Sequence, residues 1–124
     1  MTQPLALVLY DNMLPGSQLA NRLQDLGYRV QTLTGPEFLV DHAEREKPLV
    51  VIVDLSRRID EVCENIEKLR QNTPTSHIPI LAFDGQGDPA IQARAIKSGV
   101  NLVANHKAAI SQLARLLEQV LRVE

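Results

Sequence analysis

The chain has 124 residues, of which 44% are hydrophobic and 23% are charged, and its formal net charge is −2. This length suits a single domain with a sizeable buried core, and the composition is that of a globular protein. The slightly negative charge, with 2 Phe, 2 Tyr and no Trp, argues against binding to nucleic acid or anionic lipid. The single cysteine, Cys63, cannot form an internal disulfide, and no apolar run is long enough to cross a membrane. The sequence therefore predicts one soluble, cytoplasmic domain over residues 1–124.

Hydrophobic patterns predict five strands that alternate with five helices. The predicted strands are apolar or alternating runs at 5–10, 28–33, 49–54, 78–83 and 100–104. The predicted helices carry apolar residues at spacings of three and four, at 16–26, 34–45, 59–69, 90–98 and 107–123. The second helix opens with capping-box spacing between Thr34 and Glu37, and Pro36 falls in its first turn.

The regular alternation of strand and helix determines the predicted fold class. The runs at 5–10 and 49–54 are continuously apolar, which is typical of strands buried on both faces of a parallel sheet. Right-handed crossovers then leave few topologies. We predict an α/β protein with a five-stranded parallel sheet, doubly wound as a flavodoxin-like three-layer sandwich.

Acidic residues stand at the ends of three predicted strands. Asp11 follows the first strand, Asp54 ends the third and Asp84 follows the fourth. Parallel strands bring their carboxyl ends to one edge of the sheet, where such acids suit Mg²⁺. Without a cation they would repel one another, so Asp84→Thr or Asp54→Asn is expected to stabilise the metal-free fold. The alternative is that each acid only caps the loop that follows its strand.

Four segments give the sequence a resemblance to a known family. They are Val8–Asp11 and Val51–Asp54 at two strand ends, Ile78–Leu81 opening the fourth strand, and Lys97–Val100 before the fifth. With these segments the chain resembles a response-regulator receiver domain over all five strand–helix units. The resemblance implies that a histidine kinase phosphorylates Asp54. It also implies that Mg²⁺ binds to Asp11, Asp54 and the backbone carbonyl of Ser56.

Several positions depart from the pattern of that family. Tyr10 replaces the first of two adjacent acids, and Asp84 replaces the Thr or Ser that binds the phosphoryl group. The Lys-Pro pair after the fifth strand corresponds to His106 and Lys107, and Val103 replaces the aromatic switch residue. These departures predict a degenerate receiver in which phosphorylation is impaired or atypical.

Three functions follow from these observations. One is a docking module that recognises a histidine kinase or another signalling protein through helix four, strand five and helix five. Leu116, Leu121 and Val123 are surplus apolar residues on the last helix, and they favour this surface and a homodimer. The second is a fully phosphorylatable switch that uses Asp54 and Mg²⁺. The third is a small flavin- or nucleotide-binding enzyme, although the loop at 12–17 lacks a hydroxyl-rich phosphate cradle.

Overall fold

A computed structural model describes residues 4–9, 13–33, 35–55, 58–84, 88–105 and 111–121, and for residues 13–17 it describes the helix but not the side chains. The strands are β1 (Leu5–Leu9), β2 (Arg29–Leu33), β3 (Val50–Asp54), β4 (Ile80–Phe83) and β5 (Leu102–Ala104). The helices are α1 (Met13–Asp25), α2 (Leu39–Glu46), α3 (Ile59–Gln71), α4 (Pro89–Ser98) and α5 (Leu113–Leu121). Short 3-10 helices, Pro36–Phe38 and Thr73–Thr75, precede α2 and β4.

The five strands form one parallel sheet in the order β2-β1-β3-β4-β5. Successive side chains of a strand point to opposite faces, and here both faces are buried. Leu7 and Leu9 belong to a core cluster with residues of α2, α3 and α4. Ala6 and Val8 belong to a second cluster with residues of α1 and α5. Helices therefore cover both sides of the sheet, which confirms the predicted doubly wound sandwich.

The burial of each strand follows its place in the sheet. Every residue of β1 and β3 is buried, as their continuously apolar sequences predict. β2 and β5 lie at the two edges; β2 has exposed positions, and all three residues of β5 are only partly buried. Cys63 is buried on α3. Within the part of the chain described, no helix has the length and apolarity that a membrane span requires.

The start of the second helix differs from the prediction. The helical segment begins as a 3-10 turn at Pro36, its N-cap is Gly35, and no side chain caps it. The carboxylate of Glu37, which the capping box assigns to the helix start, accepts a hydrogen bond from Arg58 at 3.3 Å instead. Thr34, the other half of the predicted box, lies outside the described residues. A long-range ion pair therefore replaces the local capping contact.

The fifth strand is shorter than predicted because Val100 and Asn101 make contacts that belong to the end of α4 and to the following turn. The backbone N–H of Val100 donates to the carbonyl of Ala95 at 3.1 Å, which closes the end of α4. Asn101 joins the turn to β4, since its backbone N–H donates to Ile80 O at 2.9 Å and its Oδ1 accepts from Ile80 N–H at 2.8 Å. Regular pairing with β4 begins only at Leu102.

Candidate functional site

The candidate site lies at the carboxyl edge of the sheet, where the chain order reverses. β1 and β3 are neighbours, while β2 lies on the other side of β1, so the connections from these strands leave in opposite directions. Open α/β sheets bind ligands in the crevice at such a point. Leu9 at the end of β1 is opposite Val53, and Asp54 is the next residue along β3. The sheet therefore places a carboxylate at its topological switch point.

Asp54 is held in a fixed and nearly buried position, with 5% of its surface exposed. It lies opposite Phe83 in the β3–β4 ladder, and the backbone N–H of Leu55 donates to Phe83 O at 2.8 Å. Two residues before it, Ile52 packs in the cluster with α1 and α5. Because side chains alternate along a strand, Asp54 continues on that same side of the sheet.

Asp84 is even more deeply buried, at 1% exposed. Its backbone N–H donates to Ala104 O at 2.9 Å, which extends the β4–β5 pairing by one residue. Its carboxylate Oδ2 accepts a hydrogen bond from the backbone N–H of Asp88 at 2.6 Å. Asp88 in turn accepts the Ala90 N–H at 2.9 Å and caps α4.

For Asp84 the structure therefore supports the capping alternative. The sequence predicts that Asp84→Thr relieves repulsion and stabilises the metal-free fold. In the structure this substitution removes the carboxylate that accepts the Asp88 N–H, so the structure favours destabilisation at this position. The physical reason is that the backbone donor compensates the buried carboxylate locally.

Arg58 follows the end of β3 by four residues and directly precedes α3. It has a left-handed backbone with φ of 53°, and its guanidinium pairs with Glu37 at 3.3 Å and with Glu61 at 2.5 Å. The hydrogen bond from Arg58 lowers the pKa of Glu61 below its ordinary value. These ion pairs join the segment before α2 to the first turn of α3.

The structure places only some of the predicted site residues. Tyr10, Asp11, Ser56, His106 and Lys107 lie outside the described residues.

Val103, at the position of the aromatic switch residue, is partly buried in the edge strand β5 and packs against the cluster of α2, α3 and α4.

The metal-binding prediction rests on carboxylate oxygen atoms. The buried carboxylate of Asp54 is a hard oxygen ligand of the kind that Mg²⁺ prefers. No group of three or more His, Cys, Asp or Glu side chains that could hold a metal ion occurs among the described residues. Asp54 therefore fits as one ligand, and the other predicted ligands, Asp11 and Ser56, lie outside the described residues.

Two of the three apolar residues predicted to be surplus on the last helix, Leu116 and Leu121, lie among the described residues. Both are partly buried, and both pack against the cluster of α1 and α5. Val123 lies outside the described residues. Among the described residues of α4, β5 and α5, the large apolar residue that is exposed is Ile96 on α4, with 50% of its surface accessible. Sequence reasoning did not single out Ile96. The available signal was its position outside the helix face that buries Ala95.

Comparison with known proteins bears on the fold. No protein-family model matches the sequence, and no curated protein matches it. Solved structures do match over nearly the whole chain.

The receiver domain of a sensor histidine kinase from Pseudomonas aeruginosa PAO1 has a TM-score of 0.86 and 19% identity, and the match covers 97% of this chain and 98% of that one. That structure has a magnesium ion coordinated in its active-site cleft. A chemotaxis protein from Vibrio cholerae has a TM-score of 0.85 and 20% identity, with 97% and 100% covered. A response regulator from Thermotoga maritima has a TM-score of 0.82 and 16% identity, with 97% and 98% covered. The chain thus has the fold of response-regulator receiver domains, which confirms the predicted resemblance at the level of the fold.

Proposed function

We propose that residues 1–124 form a receiver-like signalling domain of a cytoplasmic two-component or phosphorelay pathway, which acts through protein–protein recognition. The proposed partner is a histidine kinase or another signalling protein, and phosphorylation of Asp54 is impaired or atypical. The observation that carries the proposal is the buried Asp54 carboxylate at the switch point of a receiver fold. Beyond accepting a phosphoryl group on itself, the domain catalyses no reaction in this proposal.

The proposed chemistry is a phosphoryl transfer to Asp54. One carboxylate oxygen attacks phosphorus in line, and the bond from phosphorus to the donor's leaving atom breaks as the new bond forms. The electron pair of the broken bond stays with the leaving atom. Asp11, Asp54 and the Ser56 carbonyl would hold Mg²⁺, which offsets the negative charge of the phosphoryl oxygens.

Two described residues support the view that this reaction is impaired or has little effect. Asp84 presents a carboxylate and not a hydroxyl after β4, and that carboxylate already accepts the Asp88 N–H. A carboxylate cannot donate a hydrogen bond to a phosphoryl oxygen, and like charges repel at short range. Val103 has no aromatic ring that could change its position in response.

The experiment that tests Asp54 is mass spectrometry of the intact protein after incubation with a small acyl phosphate and Mg²⁺. We expect a low or short-lived population that carries one phosphoryl group. The matched control is Asp54→Asn, which keeps the size of the side chain and removes the nucleophilic carboxylate. Absence of any modified wild-type protein contradicts the assignment of Asp54. Stoichiometric and lasting modification supports the fully phosphorylatable switch instead.

The recognition surface that we propose consists of α4, β5 and α5, and a second copy of the chain is one candidate partner. Ile96 is the large exposed apolar residue on α4, and the neighbouring edge strand β5 is only partly covered. Exposed apolar residues beside an open sheet edge favour contact with another protein. Leu116 and Leu121 contribute to this surface only through the parts that remain accessible.

A further inference from the structure

We infer that Asp84 is a positioning residue that fixes α4 against the sheet whether or not Asp54 is modified. The inference rests on the proposed function, because it assigns to α4 a surface that partners recognise. That surface, the α4 face, consists of Ala93, Ile96 and Lys97, which are all exposed and lie at helical spacings of three and four.

The first step is the anchoring of Asp84 itself. Its backbone N–H is bonded to Ala104 O on β5 at 2.9 Å, and the residue directly follows β4. The backbones of the inner strand β4 and the edge strand β5 therefore both hold Asp84 in place. Its side chain is almost completely buried, so the carboxylate has little freedom to turn toward solvent.

The second step is the contact with the start of α4. Asp84 Oδ2 accepts the Asp88 N–H at 2.6 Å, a short hydrogen bond to a carboxylate. Asp88 is the N-cap of α4, since its side chain accepts the Ala90 N–H and its carbonyl accepts the Gln92 N–H at 3.0 Å. Pro89 fixes the backbone of the first helical position. A single chain of contacts thus runs from the sheet to the first turn of α4.

The third step concerns the consequence for regulation. A modification shifts a conformational equilibrium only if it interacts differently with the two states. Here the contact between sheet and helix is complete in the unmodified protein, and Asp84 has no hydroxyl with which to bind a phosphoryl group on Asp54. A movement of the α4 N-cap Asp88 away from Asp84 would require loss of this hydrogen bond. The α4 face therefore keeps one position in both states of Asp54.

Amide NMR of the full chain tests this inference. In Asp84→Ala we expect the Asp88 amide to exchange with solvent about tenfold faster, since one hydrogen bond of about 1.4 kcal/mol is lost. Asp84→Asn retains an oxygen acceptor and should restore most of the protection. Asp41→Asn is the matched control, because Asp41 is an exposed carboxylate that pairs with Arg45 on α2 and not with α4. Unchanged exchange at Asp88 in Asp84→Ala overturns the inference.

A second measurement separates positioning from simple stabilisation. With beryllofluoride and Mg²⁺, the wild-type amides of Ala93 and Ile96 should keep their chemical shifts, whereas in Asp84→Thr, which has a hydroxyl, they should move. Wild-type shifts at α4 as large as those in Asp84→Thr contradict the inference. Shifts of the Leu55 amide report whether Asp54 binds the mimic. If Leu55 does not respond in any variant, the assignment of Asp54 as the phosphoryl acceptor fails, while the exchange data still decide the role of Asp84.

Discussion

Arg70 and Gly99 form a close contact near the amino ends of the strands, whereas the candidate site lies at their carboxyl ends. Arg70 donates from Nε and Nη2 to the carbonyl oxygen of Gly99, at 3.0 and 2.8 Å. Gly99 has φ of +127°, and a Cβ atom at this position would lie 2.6 Å from Arg70 Cγ. Glycine is therefore needed both for the backbone conformation and for the approach of the arginine. This contact joins the end of α3 to the turn between α4 and β5.

Gly99→Ala should destabilise the protein by about 2–4 kcal/mol, since it adds a steric clash to an unfavourable backbone conformation. Gly27→Ala is the matched control. Gly27 also has positive φ, +92°, but no atom within 4 Å of an added Cβ, so its cost should be only about 1–2 kcal/mol. Urea unfolding measures both. Equal losses would mean that Arg70 moves aside at no cost.

Arg70→Ala should lower the free energy of unfolding by about 2–4 kcal/mol, because charged hydrogen bonds to a partly buried backbone are lost. Besides Gly99, its guanidinium bonds to Ser76 O at 2.8 Å, Ile78 O at 2.7 Å and Asn101 Oδ1 at 2.7 Å. Burial lowers the pKa of Arg70 below its ordinary value. Arg70→Lys should fall between wild type and Ala, since an ammonium cannot reproduce the planar fork. If thermal melts show that Arg70→Lys is no more stable than Arg70→Ala, the positive charge alone contributes nothing to stability.

Mg²⁺ should bind weakly at the carboxyl edge of the sheet, because Tyr10 replaces one of the two acids that the family places there. Titration to about ten millimolar, the weak end for hard-ion sites, should shift the Leu55 amide in wild type. Asp54→Asn should reduce that shift, whereas the exposed-site variant Asp60→Asn should not. A wild-type spectrum that is insensitive to Mg²⁺ contradicts the metal site.

Ile96→Glu should weaken association of the chain with itself or with its partner and leave folding stability within about 0.5 kcal/mol of wild type, as is usual for exposed positions. Leu49→Glu is the matched control, since Leu49 is 43% exposed but precedes the central strand β3 and belongs to none of α4, β5 and α5. Leu116→Glu should instead reduce stability by about 1–3 kcal/mol, because Leu116 packs against the core. Sedimentation velocity and urea melts separate these effects. If Asp54→Asn changes the association and Ile96→Glu does not, the result favours the phosphorylatable switch.

The carboxyl of Glu61 should titrate below its ordinary pKa, because Arg58 donates a hydrogen bond to the ionised form. A pKa that is lower in the folded than in the unfolded state stabilises the fold above the unfolded pKa. This contribution is lost as pH falls through the folded pKa. Carboxyl NMR titration should show the Glu61 pKa rise in Arg58→Ala. It should stay unchanged in Arg45→Ala, which removes an arginine that pairs with Asp41 on α2.

The sequence by itself determined the architecture and the position of Asp54. The apolar runs of β1 and β3 predict strands buried on both faces, and the sheet has them there. A residue that ends such a strand must lie at the carboxyl edge of a parallel sheet. These properties follow from local periodicity, which can be recognised in the sequence without knowledge of which residues contact one another in the fold.

Only the tertiary structure decided what the polar side chains contact. The carboxylate of Asp84 accepts the Asp88 N–H, and Arg70 reaches Gly99, 29 residues further along the chain. Leu116 lies partly buried because it packs against the core cluster to which α1, α5 and the sheet contribute. Such contacts depend on the distance and orientation of packed elements. Hydrophobic periodicity indicates which face of a helix is buried, but it contains no information on which donor stands opposite a given carboxylate.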